Sequence, residues 1–281
     1  MALKLMYITN RPEVALIAES AGVDRIFVDL EWIGKAERQG GMDTVQSRHT
    51  VEDIAAVRKV LTKADLLVRC NPIHEASSDY ESSAEEIERI VECGADLIML
   101  PYFKTPDEVR TFIRLVNGRA KTVLLLETPE AAMCVDEILE IDGIDEVFIG
   151  LNDLSLGYQK KFMFELLADG TVERLCVKMK QKRIPHGFGG IASLGQGALP
   201  AERIIREHYR LGSTSVILSR SFCNTTQIQE LNKIREIFEQ GVPAIRALEE
   251  ECDLHSRYFA ENQEILVQTV QEICQKLYEG V

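Results

Sequence analysis

Glu127 closes a leucine run and Asp153 stands just past the apolar run VFIG, both within LLLETPEAAMCVDEILEIDGIDEVFIGLNDLSLG at residues 124–157. Each carboxylate sits at the tip of a strand-like segment, and the two segments are consecutive. Neighbouring strands lie just under about 5 Å apart, so the two acids can share one ion. Two acidic oxygens with further positions left for water and substrate are what Mg²⁺ prefers and Mn²⁺ accepts. A single acid at a strand end serves more often as a helix N-cap or a surface loop residue. Two on adjacent strands, facing Arg69 across a common mouth, fit an ion better. Metal and arginine together suggest an α-keto acid, which can bind an ion through a carboxylate oxygen and its carbonyl oxygen. The ion then acts as a Lewis acid toward the enolate formed at the adjacent carbon. Arg69 can donate to the same developing oxyanion. Backbone amides at Asn152 and Asp153 can hold the substrate carboxylate.

Eight short apolar runs must position these groups: LKLMYI, DRIFVDL, ADLLVRC, DLIMLPY, TVLLLE, EVFIG, PHGFGGI and TSVILS, starting at residues 3, 24, 64, 96, 122, 146, 185 and 214. Helical periodicity fills the intervals, as in PEVALIAESAG and SAEEIERIVECG, and several helices end at glycine (Gly22, Gly94, Gly118, Gly143, Gly212). Continuous rather than alternating apolar strands imply a sheet buried on both faces. Eight βα units in a chain of 281 residues predict an α/β fold, a closed (β/α)₈ TIM barrel with extra C-terminal helices. A doubly wound sheet would want a Gly-rich turn after the first strand, and ITNRPEVA offers none. In a barrel the active site lies at the C-terminal strand ends. Those ends carry Asp29 and Glu31, Arg69, Pro101 and Tyr102, Glu127, Asn152 and Asp153, the GFGGIASLGQG stretch, and Ser219 with Arg220. The division expected is a catalytic core over 1–223, with a long loop at 32–50, and a helical extension over 224–281. In that extension Leu266, Val270, Ile273 and Leu277 form one apolar stripe, which packs on the barrel or on a second subunit.

A net charge of −13 without a basic stripe excludes a nucleic-acid footprint and argues against docking on anionic membranes. Seven cysteines with no Cys-x-x-Cys pair read as reduced thiols, neither a disulfide framework nor a zinc site. No signal-peptide pattern opens the sequence and no apolar run approaches a membrane span, so a cytoplasmic protein is expected.

The segment 124–157 resembles the signature of the metal-dependent (class II) pyruvate aldolases of the HpcH/HpaI type, to which the citrate lyase β-subunit family is related on the same barrel. VRCNP is similar to that family's arginine strand, CGADLIMLPYFKTPDEV to its fourth strand and helix, and FVDLE to its acidic second strand. The resemblance implies a barrel of the phosphoenolpyruvate/pyruvate-binding type, assembled as homo-oligomers. It also implies Glu127 and Asp153 as ligands of Mg²⁺ or Mn²⁺ and Arg69 as the enolate-stabilising residue. The implied reaction is retro-aldol cleavage of a 4-hydroxy-2-oxoacid to pyruvate, or a similar keto acid, and an aldehyde.

One position departs from the pattern. Where the aldolases carry a histidine directly after the strand-2 acid, as part of a proton shuttle, this chain has Trp32. An indole does not exchange protons near neutral pH. Trp32 is then a pocket wall over the metal or a core plug. The replacement base expected is His49, folded back from the far end of the loop to pair with Asp29 or Glu31, which would raise its basicity. Its competing role is a helix N-terminal residue beside the Thr50 cap. Asp29, Glu31 and His49 would handle protons. Two alternatives stay open: a citrate lyase β-like acyl-thioester lyase, using Lys35, Arg38 and Arg48 as a basic landing patch, and a barrel that binds metal and keto acid without turnover.

Overall fold

The computed structural model describes residues 2–35, 49–254 and 258–279. The eight apolar runs become eight parallel strands: β1 (Lys4–Ile8), β2 (Arg25–Asp29), β3 (Asp65–Arg69), β4 (Leu97–Leu100), β5 (Lys121–Leu126), β6 (Glu146–Ile149), β7 (His186–Ile191) and β8 (Ser215–Leu218). Each pairs with the next and β8 closes on β1. This is the expected (β/α)₈ barrel. The helices between strands are α1 (Pro12–Ser20), α2 (Val51–Arg58), α3 (Ser83–Glu92), α4 (Pro106–Val116), α5 (Pro129–Met133), α6 (Val135–Ile138), α7 (Leu151–Gly157), α8 (Glu165–Ala168), α9 (Thr171–Gln181) and α10 (Ala201–Leu211). Two long helices follow, α11 (Leu231–Leu254) and α12 (Tyr258–Glu279).

Local chemistry sets the helix starts. Ser82 and Thr105 each cap a helix in a reciprocal box, the backbone N–H groups of Ser82 and Thr105 donating to Glu85 and Glu108 at 2.9 and 2.8 Å. Asn117 (φ +50°) and Gly212 (φ +64°) end α4 and α10 in the left-handed conformation that closes a helix and turns the chain toward the next strand. The GFGGI glycines of the run PHGFGGI lie inside β7. A Cβ on Gly187 would stand 2.4 Å from the Ser215 carbonyl oxygen, so the close approach of β7 to β8 requires glycine there.

Strand residues two apart point to the same side, which writes three layers into the barrel interior. Met6, Phe27, Leu67, Met99, Leu125 and Phe148 form the middle layer, an apolar plug. Below it Arg25, the first residue of β2, reaches across to Glu146, the first residue of the diametrically placed β6, in a bidentate pair at 2.6 Å for both bonds. Above it the same columns end in Asp29 on β2, Arg69 on β3 and Glu127 just past β5. The strand ladder therefore delivers charge to both ends of the barrel and keeps the centre dry.

The C-terminal helices cover the outside of the barrel. Helix α11 packs against α1 and α10, and α12 against α8 and α10. In the apolar stripe of α12, Leu266 and Val270 are fully buried on the barrel's own helices, whereas Leu277 is 44% exposed. Among the described residues no helix is long and apolar enough to cross a membrane.

The floor pair makes a stability prediction. Arg25→Met leaves the buried Glu146 carboxylate with Lys4 alone, at 3.9 Å, and is expected to cost about 3–5 kcal/mol. The double variant Arg25→Met/Glu146→Leu is expected to recover most of that loss. Urea unfolding of the three proteins checks both values.

Candidate active site

Asp29 and Arg69 are register partners on β2 and β3. Their side chains meet in a fork: Arg69 Nε donates to Asp29 Oδ1 and Nη2 to Oδ2, both at 2.7 Å. Lys35 Nζ adds a third donor to Asp29 Oδ2 at 3.1 Å. Lys35 and Arg69 Nη1 also approach Glu31 Oε2, at 3.4 and 3.3 Å. Burial works against the Asp29 charge, but Arg69 and then Lys35 outweigh it and hold the carboxyl well below the usual carboxylate range. Asp29 is thus a fixed anion. It orients Arg69 and is ill suited to accept a proton.

Glu127 stands opposite, buried, with Oε1 accepting the Tyr102 backbone N–H at 3.0 Å. Tyr102 makes that bond from a left-handed backbone (φ +48°), a conformation costing a bulky residue on the order of 1–3 kcal/mol. On the other side Gly150 leaves the room Glu127 needs, since a Cβ there would fall 2.7 Å from Glu127 Oε2. Burial, then the negative charges of Glu31 and Asp153, push the Glu127 carboxyl well above the usual range, against the pull of Arg69. Asp153 and Asn152 lie in the first turn of α7, directly after β6, with Asn152 Nδ2 donating to Asp153 Oδ1 at 3.0 Å.

These groups converge. Lys35, Arg69, Glu127, Asn152 and Asp153 line one cavity of about 190 Å³ whose floor is the apolar plug, with Phe27, Met99 and Phe148. Arg69 and Lys35 pair with Asp29 and Glu31, while Glu127 is crowded by the charges of Glu31 and Asp153. An all-oxygen donor pair so placed fits one hard divalent cation held by Glu127 and Asp153. Among the described residues no group of three His, Cys, Asp or Glu side chains is placed to hold a metal, so further positions would fall to water and substrate. A larger cavity of about 330 Å³ lies elsewhere, lined by Lys160, Arg174 and Lys178. Two of its cations already pair with carboxylates, Lys160 with Asp169 at 3.2 Å and Lys178 with Asp136 at 2.5 Å.

Three expectations for the second strand's loop need correction. Trp32 is neither a pocket wall nor a core plug: it is 53% exposed and packs edge-on against Tyr80 at 5.6 Å. The reason is Asn71, whose Oδ1 accepts the backbone N–H groups of both Trp32 and Ile33, at 2.9 and 3.0 Å, while its own amide is tied to Glu86 at 2.8 Å. His49 does fold back to Asp29, but its Nδ1 accepts the Asp29 backbone N–H at 2.9 Å instead of meeting the carboxylate. That bond occupies the ring's lone pair. Burial holds the imidazole below its ordinary range, against the raising effect of Asp29, so its basicity is lowered, not raised. Lys35, expected in a basic landing patch for a thioester tail, is buried among the carboxylates. Arg38 and Arg48 lie outside the described residues.

The other described histidines, His74, His186 and His208, belong to the scaffold. His74 bonds the Pro72 and Glu81 carbonyls at 2.6 and 2.9 Å, and His186 faces the Ile184 and Leu211 carbonyls. His208 stacks on Phe188 at 3.8 Å, where burial lowers it to about 3.

Residues 4–177 match the family model described as HpcH/HpaI aldolase/citrate lyase. The chain belongs to that family. A hydroxypyruvate/pyruvate aldolase from Sagittula stellata is 29% identical over 108 residues, covering 27% of this chain and 43% of that relative. The chain thus spans less than half the length of this curated relative. Solved HpcH/HpaI folds agree at low identity. A family aldolase from Desulfitobacterium hafniense has TM-score 0.61 at 15% identity, covering 84% of this chain and 93% of its own. A family protein from Burkholderia cenocepacia gives 0.60 at 15%, with 83% and 95% covered. RipC from Yersinia pestis gives 0.54 at 16%, with 83% and 94% covered. These likenesses bear on the barrel. The side-chain geometry is this HpcH/HpaI family member's own.

The Asp29 pair predicts a pH signature. A carboxyl whose folded pKa is depressed contributes stability in full above its unfolded value, about 3.9, and loses it as pH falls through the folded value. The stability advantage of the wild type over Asp29→Asn is therefore expected to be full at pH 7 and to shrink as pH is lowered below about 4. Urea unfolding across that range checks the sign.

Proposed function

We propose that this HpcH/HpaI family member is a divalent-metal-dependent carbon–carbon lyase. It cleaves a small 4-hydroxy-2-oxoacid to pyruvate, or a similar keto acid, and an aldehyde. The observation that carries the reading is the crowding of acids in the 190 Å³ cavity, where Glu127 is buried opposite the fork of Arg69 and its carboxyl is pushed well above the usual range by burial and by the charges of Glu31 and Asp153. The family and the aldolase relative support the reaction class.

Glu127 and Asp153 would hold Mg²⁺ or Mn²⁺, which supplies Lewis-acid polarisation of the keto acid's oxygens when bound. The chain's own groups do the rest. First-turn amides of α7, at Asn152 and Asp153, have no carbonyl partner within the helix and can receive the substrate carboxylate. Arg69, already aimed by Asp29, presents a preorganised donor where the enolate oxygen gains charge; removing one such donor typically costs about 10²–10³ in rate. Phe27, Met99 and Phe148 form a dry floor that strengthens these interactions by excluding water. Asp29 and His49 act as positioning residues, because one is locked as an anion and the other has spent its lone pair on a backbone amide.

The volume favours a small substrate, since pockets for drug-sized ligands start at roughly 300 Å³. The acyl-thioester alternative loses Lys35 from its landing patch, as that ammonium is enclosed by Asp29 and Glu31.

Incubation with pyruvate and Mg²⁺ in D₂O, followed through the methyl signal by NMR, tests the reading. Exchange is expected in the wild type, with loss on adding EDTA and a fall of at least ~100-fold in Glu127→Gln, more than loss of an outer-shell partner usually causes. Exchange that survives EDTA would remove the metal from the reaction. No exchange, with Mg²⁺ and pyruvate still bound, would favour a barrel that binds without turnover.

A further inference from the structure

We propose that Asn71 is a positioning residue of this site, turning Trp32 out of the mouth and Lys35 into it and so setting the balance between cation and keto-acid binding; this rests on the lyase reading above. Asn71 follows Arg69 by two residues at the exit of β3 and is buried. Its Oδ1 accepts the N–H groups of Trp32 and Ile33 at 2.9 and 3.0 Å, and its Nδ2 donates to Glu86 Oε1 at 2.8 Å. These partners fix the carboxamide's orientation. Two donors meet its oxygen and a carboxylate meets its nitrogen, so a flipped amide would set donor against donor and acceptor against acceptor. Buried Glu86, on α3, also accepts the Asn71 backbone N–H, 3.1 and 3.2 Å from its two oxygens. Glu86 holds Asn71, and Asn71 holds the loop.

The path of the loop follows from these bonds. Leu30 N–H still keeps to the barrel ladder, donating to the Arg69 carbonyl at 2.9 Å. The chain then leaves the ladder. Glu31 N–H turns back to Asp29 Oδ1 at 3.2 Å, Trp32 and Ile33 N–H go to Asn71, and Lys35 N–H closes the turn on the Trp32 carbonyl at 3.2 Å. With its N–H drawn to Asn71, Trp32 lays its ring against Tyr80 on the outside. Three residues on, Lys35 returns to the cavity, its ammonium 3.1 Å from Asp29 and 3.4 Å from Glu31.

The work of that ammonium is electrostatic. It is a fixed positive charge lining the cavity of Glu127 and Asp153, beside two acids of which Glu31 crowds Glu127. A fixed cation in the mouth repels a divalent ion and attracts the carboxylate of a keto acid. Taking it away moves the two affinities in opposite directions, whereas general damage to the site lowers both. Asn71 touches neither ligand position; its influence runs through the loop it pins.

Calorimetric titration with Mg²⁺ alone, and with pyruvate at saturating Mg²⁺, reads the balance; the emission of Trp32, the one tryptophan of the chain, reads the loop. Lys35→Met is expected to bind Mg²⁺ about 5–20-fold tighter and pyruvate about 3–10-fold weaker, the scale of one charge acting on a divalent and on a monovalent ion in a partly screened site. Its Trp32 emission is expected to stay unchanged. Asn71→Ala is expected to move both affinities in those same directions and to shift the emission as the ring leaves Tyr80. In Asn71→Ala/Lys35→Met the affinities are expected to match Lys35→Met alone, because the first residue acts through the second. Asn71→Asp/Glu86→Gln exchanges carboxylate and amide at constant net charge, keeps an acceptor for the two loop N–H groups, and is expected to restore wild-type affinities and emission. Circular dichroism checks folding. Should Asn71→Ala not fold, Asn71→Ala/Glu86→Leu takes its place, since it leaves no buried carboxylate without its partner. Both affinities lowered or neither changed in the folded variant, or effects that add in full to those of Lys35→Met, would overturn the Asn71 role and leave the lyase reading standing. Wild-type protein that exchanges no pyruvate methyl protons, with the two affinities still opposed, would overturn the lyase reading alone; wild-type protein that binds neither Mg²⁺ nor pyruvate would overturn both.

Discussion

The fork between Arg69 and Asp29 is the interaction on which the rest of the site depends. Adjacent parallel strands in register bring the two Cα atoms side by side, and both side chains point inward because each closes a two-residue column. Two charge-assisted bonds at 2.7 Å then fix the guanidinium plane. With Asp29 engaging two of its donors, Arg69 only partly offsets the crowding of Glu127 by Glu31 and Asp153. That crowding is what a divalent cation would answer.

The barrel tolerates such charge because it separates it. Arg25–Glu146 occupies the floor, the Phe27, Met99 and Phe148 layer the centre, and the Asp29–Arg69–Glu127 group the mouth. Taking ions out of water is costly, and mutual attraction repays it only where the geometry is good. The floor meets that condition, with two bonds at 2.6 Å between one cation and one anion. The mouth meets it for Asp29 and not for Glu127, whose neighbours are mostly acidic. A purely structural cluster would have been matched throughout, as the floor is.

What could be read from the sequence was whatever strand periodicity dictates. Glu127 follows Val123 and Leu125 in an inward column, and Arg69 follows Asp65 and Leu67, so the apolar pattern that identifies a strand also predicts which polar residue emerges into the mouth. The loop after β2 has no such rule. Trp32 turned outward because Asn71, thirty-nine residues away, accepts its amide. Lys35 turned inward because two acids were waiting there, a contact that composition describes only as a charged loop. His49 reached Asp29 as expected, yet through the backbone, and that difference reverses its chemistry. Tyr102 was visible only as a strand-end residue; its left-handed backbone, which aims an N–H at Glu127, carries no sequence signal in a non-glycine residue.

Strain and charge meet at one residue. Glu127 is held by a strained Tyr102 peptide, given room by Gly150, and repelled by Glu31 and Asp153. Each of these features lowers the stability of the empty site, and none improves the packing of the barrel. Such strain persists only where surrounding structure over-determines it, here strands β4 and β5 with the buried side chains of Leu100, Phe103 and Leu126. A ligand that binds only the folded state adds RT ln(1 + [L]/Kd) to its stability, so a cation would both relieve the repulsion and offset the strain. Cation binding and the integrity of the mouth would then be one thermodynamic quantity in this barrel, with Glu127 as the group through which they are linked.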